Sequence, residues 1–222
     1  MSTERHNQHI LFSARPQGDI EPANFDLVDL PMPTLNAGDV LVEVHYLAVE
    51  PAMKGWMEAR ADYIAPLQIG DVMRGQGAGV VLQSGNPKFP VGTMVSGPLG
   101  WRRYLASDGR STPLRAIPQT VSLPAALNVL GITGLTAYFG MLDIGKPQAG
   151  NTVLVSGAGG ATGSIAGQLA RIAGARVVGI AGGREKCDWL VSDLAFAADI
   201  DFISEATAQL STTMCLPGPL RL

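Results

Sequence analysis

Three glycines in the run GAGGATG, namely Gly157, Gly160 and Gly163, have the spacing of a phosphate-binding turn between a strand and a helix. Glycine suits such a turn because the chain reverses sharply, the backbone approaches a pyrophosphate, and the helix packs closely on the strand. The N-terminus of the helix then offers free N–H groups and a partial positive charge to the phosphates. The spacing is GxxGxxG rather than GxGxxG, and a tight turn of purely structural purpose is the alternative interpretation.

A second candidate position lies about 20 residues further on, where an NAD-binding domain places Asp or Glu on the ribose 2′-hydroxyl. This sequence has AGG there (181 to 183, ending in Gly183), followed by Arg184 and Lys186. Small residues and two cations favour a 2′-phosphate through charge-assisted contacts. The pattern therefore predicts NADPH as the cofactor, and the alternative is that both cations are solvated surface charges.

The elements that would position these residues alternate regularly between strand and helix from residue 151 onward. The predicted strands are NTVLVSG, ARVVGIAG and ADIDFI, and the predicted helices are ATGSIAGQLARIAG and REKCDWLVSDLAF. Units this short predict a parallel sheet with right-handed crossovers, one mononucleotide-binding half of a doubly wound α/β (Rossmann) domain. The remaining run, ATAQLSTTMCLPGPLRL, begins like a helix, and we expect no strand after it.

The first 120 residues differ in composition and pattern: they are rich in Gly and Pro and contain short runs of alternating apolar residues. Three of these runs are VLVEVHYLAV (40 to 49), GAGVVLQ (77 to 83) and GTMVSG (92 to 97). They predict an all-β unit of short strands and turns. From residue 121 the apolar spacing becomes helical, and it predicts a helix that ends at Gly145 with Pro147 beyond.

Composition excludes several classes of function. The net charge is only −3 and 16% of residues are charged, so we expect neither nucleic acid nor a membrane surface as a partner. Two cysteines, Cys187 and Cys215, form no CxxC pair, and the three histidines have no ligand-like spacing, which predicts reduced thiols and no metal site. The polar N-terminus contains no apolar signal segment, so a cytoplasmic location is expected.

Several ordered motifs together resemble a known family. They are LFSARPQGDIEPANF, LAVEPAMKGWM, DVMRGQGAGVV, GITGLTAYFGMLDIG, VSGAGGATGSIAGQLA and VVGIAGGREKC. The chain resembles the zinc-independent medium-chain dehydrogenase/reductases, in the branch of leukotriene hydroxydehydrogenase, prostaglandin reductase and curcumin reductase, from about Leu11 to about Glu205. The resemblance implies an α/β plus β fold: a GroES-like β-barrel domain for substrate over 1–125, followed by an incomplete NADP-binding Rossmann domain over 126–205. It leaves 206–222 as a divergent tail, which we expect to be a truncated end.

The activity that this resemblance implies is NADPH-dependent reduction of the carbon–carbon double bond of a small α,β-unsaturated ketone or aldehyde. Hydride adds to the β-carbon, and hydrogen bonds rather than a metal stabilise the enolate. The segments VEPAM (49 to 53) and MRGQGAGVV (73 to 81) lack the cysteine and Gly-His-Glu motif expected of zinc-containing relatives. Two alternatives stay open: a non-catalytic remnant that binds at most the adenosine half of NADPH or acts as an oligomerising module, and a quinone oxidoreductase of the same superfamily. A homo-oligomer is possible, although the usual dimer edge would belong to the missing half.

The resemblance also assigns roles to cofactor-binding residues. The pyrophosphate would lie on Gly160, Ala161, Thr162 and Gly163, and Lys186 would hold the 2′-phosphate. Thr136 and the segment from Pro51 to Met53 would lie near the nicotinamide. Phe202 occupies the position where the family usually has tyrosine, so a hydroxyl is lost beside the adenosine phosphate and we expect weaker binding of NADPH.

The substrate side depends on fewer residues. Tyr63 matches a family tyrosine at the pocket mouth and could donate a hydrogen bond to the developing enolate, making it the catalytic candidate. A structural role in the core is the alternative for Tyr63. Met53, Trp56 and Trp101 are candidate pocket walls, and core packing is the alternative for each of them.

Overall fold

The structure is a computed structural model that describes residues 6–60, 64–205 and 220–221. The chain divides into two compact units, Met1–Leu127 and Asn128–Leu222. The sequence-based prediction placed this division after residue 125. No helix in the described ranges has the length and apolar character needed to cross a bilayer.

The first unit is built from antiparallel strands. They are β1 (Asn7–Phe12), β2 (Phe25–Leu30), β3 (Val40–Leu47), β4 (Gly77–Ser84), β5 (Met94–Gly97), β6 (Tyr104–Ser107) and β7 (Arg115–Ala116). Five of them form a sheet in the order β6-β3-β4-β5-β7, and β1 pairs with β2 alone. Two short helices, α1 (Ala52–Met57) and α2 (Leu123–Leu127), complete the unit.

The predicted β-rich unit is confirmed, but within the described residues its sheet is open and not a closed barrel. Strands β6 and β7 are the two edges of the sheet, and β7 has only two residues, so it offers little backbone for closure. The β1–β2 pair touches other segments through single bridges, His9 to Arg102 and Leu11 to Val72.

Two of the apolar clusters in this unit contain its largest fully buried side chains. One lies on the five-stranded sheet and contains Val40, Val42, Val81, Val95 and Leu99, all fully buried. The other contains Phe12, Met53, Met57, Leu67 and Met73, with Trp56 and Trp101 packed against it. Helix α1 therefore contributes its methionines to a core, which favours the packing interpretation of Met53.

The second unit is a parallel sheet flanked by helices. Its strands are β8 (Thr152–Val155), β9 (Arg176–Ala181), β10 (Ala198–Asp201) and β11 (Leu220–Arg221), in the order β10-β9-β8-β11. Its helices are α3 (Ile132–Tyr138), α4 (Ala161–Ile172), α5 (Arg184–Ser192) and α6 (Phe202–Glu205). A π-helical turn, Phe139–Gly145, continues α3 and ends at Gly145, as predicted. The next residue, Lys146, adopts a left-handed conformation.

Two expectations for this sheet are wrong in detail. The third strand was expected to include Phe202 and Ile203, but it ends at Asp201, because the Asp201 carboxylate accepts the Ile203 N–H and a helical turn begins. No strand was expected after Glu205, yet Leu220 and Arg221 pair in parallel with Thr152 and Val153 of β8. The free edge of β8 offers unpaired backbone groups that an extended segment can satisfy.

Close packing of α4 on the sheet depends on glycine. A Cβ atom on Gly167 would lie 2.1 Å from the Phe196 Cζ atom, so no larger residue fits without moving that ring. Phe196 belongs to the cluster that also contains Val153, Val155, Val177 and Leu190. This core fixes the turn at the carboxyl end of β8, which begins the candidate site.

Candidate nucleotide-binding site

The glycine turn after β8 has the geometry that its sequence predicts. Gly157 has a φ of +60°, a left-handed conformation that favours glycine, and its carbonyl accepts the Gly160 N–H at 2.9 Å. A Cβ atom on Gly163 would lie 2.3 Å from the Gly157 carbonyl oxygen. Glycine at 163 therefore lets the first turn of α4 close onto the preceding loop.

Helix α4 begins at this turn with its first N–H groups free of any side-chain cap. Gly160 is the N-cap residue in an extended conformation, and its carbonyl accepts the Ser164 N–H at 2.9 Å. Ala161, Thr162 and Gly163 form the first helical turn, and Gly160 and Ala161 are exposed. Such uncapped N–H groups can bind phosphate oxygens.

Lys186 lies directly over this turn. A Cβ atom on Gly159 would be 3.3 Å from Lys186 Cδ and 3.4 Å from Lys186 Cβ, so the stem of the lysine passes across the loop. Lys186 is exposed, and it makes no ion pair among the described residues. The structure thus brings one uncompensated cation to the predicted phosphate turn.

The turn that follows β9 also matches the requirement for small residues. Gly183 is the N-cap of α5 with a φ of +91°, and the segment AGG at the end of β9 contains no carboxylate. The Phe202 ring is 55% exposed, and its Cζ atom would lie 2.9 Å from a Cβ atom on Gly182. Phe202 therefore borders this turn with an apolar ring edge that carries no hydroxyl.

Arg184 differs from Lys186, although the sequence treats the two cations alike. The Arg184 guanidinium contacts Asp188 at 2.8 Å and Asp199 at 3.0 Å. Hydrogen bonds to Asp188 and then to Asp199 raise the pKa of Arg184 above its ordinary value. The charge of Arg184 is therefore balanced by two carboxylates of the protein. Sequence reasoning did not identify Asp199 as one of them. The sequence indicated only that two acidic residues, Asp199 and Asp201, occur in the same short strand.

Asp201 is the other residue that sequence reasoning missed. Its carboxylate is 4% exposed and accepts the backbone N–H of Gly183 at 2.9 Å and that of Ile203 at 3.1 Å. The strand end of β10 thereby holds the turn after β9. An acidic residue in a buried strand is a signal that a partner exists, but the sequence does not identify the partner.

Cys187 lies behind the same turn and is fully buried. Burial raises the pKa of the Cys187 thiol, with a further contribution from its hydrogen bond to Asp199. The neutral thiol faces the Ala181 carbonyl at 3.9 Å. Cys187 is therefore a core residue of this unit and not an activated nucleophile, and Cys215 lies outside the described residues.

The residues assigned to the nicotinamide and the substrate are spread over both units. Pro51 precedes α1 as its N-cap, and Met53 is 4% exposed in the cluster around Phe12. Thr136 is exposed on α3, where its hydroxyl donates to the Ile132 carbonyl at 2.8 Å. Tyr63 lies outside the described residues. Within the described ranges, no three His, Cys, Asp or Glu side chains gather as metal ligands.

The chain is similar to known proteins in its sequence. Residues 8–114 match the family model for the N-terminal domain of oxidoreductases. The NADPH-dependent curcumin reductase of Escherichia coli is 37% identical over 216 residues, covering 97% of this chain and 62% of that protein. Prostaglandin reductase 1 of Bos taurus is 43% identical over 170 residues, covering 76% of this chain and 50% of that protein.

The chain is also similar to a solved structure in its fold. The crystal structure of CurA from Vibrio vulnificus in complex with NADPH superposes with a TM-score of 0.81 at 38% identity. The match covers 90% of this chain and 60% of that one. The chain therefore spans between half and two thirds of the length of these relatives.

Proposed function

The chain belongs to the medium-chain dehydrogenase/reductase family, in the branch of the curcumin and prostaglandin reductases, and from that premise we propose that it serves NADPH-dependent, zinc-independent reduction of enones. The substrate class is a small α,β-unsaturated ketone or aldehyde, and the bond reduced is its carbon–carbon double bond. The observation that carries the cofactor assignment is the position of Lys186 over the glycine turn, beside a strand end without a carboxylate.

The residues present fit a dinucleotide phosphate. The uncapped N–H groups of Ala161, Thr162 and Gly163 would bind the pyrophosphate beside the N-cap residue Gly160, supported by the positive end of the α4 dipole. Lys186 would bind the 2′-phosphate, and Gly183 would let the ribose approach the backbone. When bound, NADPH supplies the hydride that adds to the β-carbon of the enone.

The remaining roles concern the reacting end of the site. Thr136 and the segment from Pro51 to Met53 would lie near the nicotinamide, and Tyr63 would donate a hydrogen bond to the oxygen on which enolate charge develops. Such a donor stabilises charge that appears only in the transition state and the intermediate, which is how hydrogen bonds replace a metal in this chemistry.

Turnover of an enone by the full chain tests this proposal. The absorbance of the reduced nicotinamide is followed with 3-nonen-2-one, and the saturated ketone is identified by mass spectrometry. NADPH oxidation with formation of the saturated ketone is expected. A quinone panel run in parallel separates enone reduction from quinone reduction, and turnover of quinones alone would contradict the substrate assignment. Binding of NADPH without any turnover would contradict catalysis by this chain.

One observation favours a second candidate function, that of an oligomerising module. Helix α3 and the π-helical turn that continues it expose Ile132 by 56%, Leu135 by 46% and Phe139 by 53%, and no charged residue occurs from 129 to 142. An exposed apolar helix face without charges is typical of an interaction surface. Light scattering on the chain and on Leu135→Glu tests this candidate: a multimer that the substitution dissociates supports it, and a monomer contradicts it.

A further inference from the structure

Arg184 is held by two carboxylates that come from different elements. Its Nε and Nη2 atoms both contact an Asp188 oxygen at 2.8 Å, one helical turn along α5. Its Nη2 atom also contacts an Asp199 oxygen at 3.0 Å, and Asp199 belongs to β10. The Asp199 side chain is 16% exposed, whereas those of Arg184 and Asp188 are 60% and 65% exposed.

The location of this network gives it a consequence for nucleotide binding. An arginine close to the end of the second strand is the residue that accommodates a 2′-phosphate in NADP-binding domains of this architecture. Arg184 begins the helix two glycines after the strand end, but its positive charge is already matched by two negative charges. Lys186 is then the cation of this turn that makes no ion pair among the described residues.

The two carboxylates do not hold Arg184 equally. Asp188 is one turn away on the same exposed helix face, and pairs of that kind are weak. Asp199 is mostly buried and is fixed by the β10–β9 ladder, in which it pairs with Gly179. Asp199 therefore determines the direction of the guanidinium more strongly than Asp188 does.

We propose that Asp199 is a specificity-determining residue that holds the Arg184 guanidinium away from the 2′-phosphate and so lowers the preference of the site for NADPH over NADH. Asp199 acts through Arg184 and is a positioning residue. The inference rests on the proposed function, because it requires an adenosine 2′-phosphate in this site. It implies that neutralising Asp199 creates a second phosphate-binding cation.

Calorimetric titration of the full chain with 2′,5′-ADP and with 5′-AMP tests the proposal, since these probes differ in the 2′-phosphate. In Asp199→Asn, binding of 2′,5′-ADP is expected to tighten about two- to fivefold, the range for a partly exposed ion pair, while binding of 5′-AMP stays constant. Asp193→Asn is the matched control, because Asp193 is an exposed acid at the end of α5 and its change alters the net charge equally.

A double variant separates the action of Arg184 from simple repulsion. In Asp199→Asn combined with Arg184→Gln, the gain is expected to disappear, because no guanidinium is left to turn toward the phosphate. A gain that persists in the double variant, or that also appears in Asp193→Asn, would overturn the proposal. If Asp199→Asn does not fold, Asp188→Asn replaces it, because Asp188 holds the same guanidinium in part. A smaller gain in affinity for 2′,5′-ADP is then expected. An unchanged affinity would overturn the inference.

Nucleotide titration distinguishes the proposed function from the role of Asp199. Absence of binding by either nucleotide to the unmodified chain would contradict the proposed function itself. Binding of both nucleotides with an unchanged ratio in Asp199→Asn would contradict the role of Asp199 alone.

Discussion

The Asp201 carboxylate, at the end of β10, accepts the backbone N–H of Gly183 at 2.9 Å, and Gly183 lies two residues past the end of the neighbouring strand β9. Gly183 has a φ of +91°, so the hydrogen bond holds a left-handed residue at the start of α5. The turn that would meet an adenosine ribose is thus fixed by the strand end beside it. Asp201 therefore stabilises the conformation of this turn, although it lies 18 positions from Gly183 in the sequence.

Removal of this carboxylate should destabilise the second unit. Asp201→Ala leaves two backbone N–H groups without their acceptor, and hydrogen bonds to a buried charged group are each worth about 1.5–3 kcal/mol. Because two such bonds are lost, we expect the free energy of unfolding in urea to fall by at least about 1.5–3 kcal/mol. Asp143→Ala, at an exposed acidic position, is the control, and an equal loss in both variants would contradict the role of Asp201.

Gly163→Ala should disrupt the packing of the first turn of α4 against the glycine turn. Its Cβ atom would lie 2.3 Å from the Gly157 oxygen and 2.9 Å from Ala158 Cα, both of them backbone atoms that cannot rotate aside. Overpacking of this kind costs about 1–3 kcal/mol, and the free energy of unfolding should fall accordingly. Gly140→Ala meets no atom within 4 Å and serves as the matched control. Equal stability of the two variants would show that Gly163 has no steric role.

His9 should make stability depend on pH. The ring is 8% exposed, and neither nitrogen has a hydrogen-bond partner among the described residues. Burial, and then the neighbouring Arg102 charge, lower the pKa of His9. The unfolded chain therefore binds this proton first, so stability falls as pH drops below about 6.5 and levels off below the folded pKa.

Thermal unfolding from about pH 8 to about pH 5 measures this effect in the window where His9 titrates. His9→Gln should flatten the pH dependence of Tm, whereas His6→Gln, at an exposed position, should leave it unchanged. A slope that is the same in His9→Gln as in the unmodified chain would assign the dependence to other groups.

Local patterns predicted those parts of the site that depend on neighbours in sequence. The contact between Gly157 and Gly163 spans six positions, and strand–helix periodicity was enough to place it. Asp199 contacts Arg184 because β10 pairs with β9, and no local sequence pattern predicts that pairing. For the same reason the sequence predicted the same role, contact with a 2′-phosphate, for both Arg184 and Lys186. The short strand β11 was missed because two residues carry no periodicity.

Lys186 is the central residue of the proposed site, as the ligand of a 2′-phosphate. Fluorescence titration of the full chain with NADPH and NADH, before and after Lys186→Ala, measures this directly, with the exposed Lys88→Ala as control. Loss of a charge-assisted contact should raise the Kd for NADPH by about tenfold or more, leave the Kd for NADH unchanged, and leave Lys88→Ala like the unmodified chain. An unchanged ratio of the two affinities in Lys186→Ala would contradict the assignment.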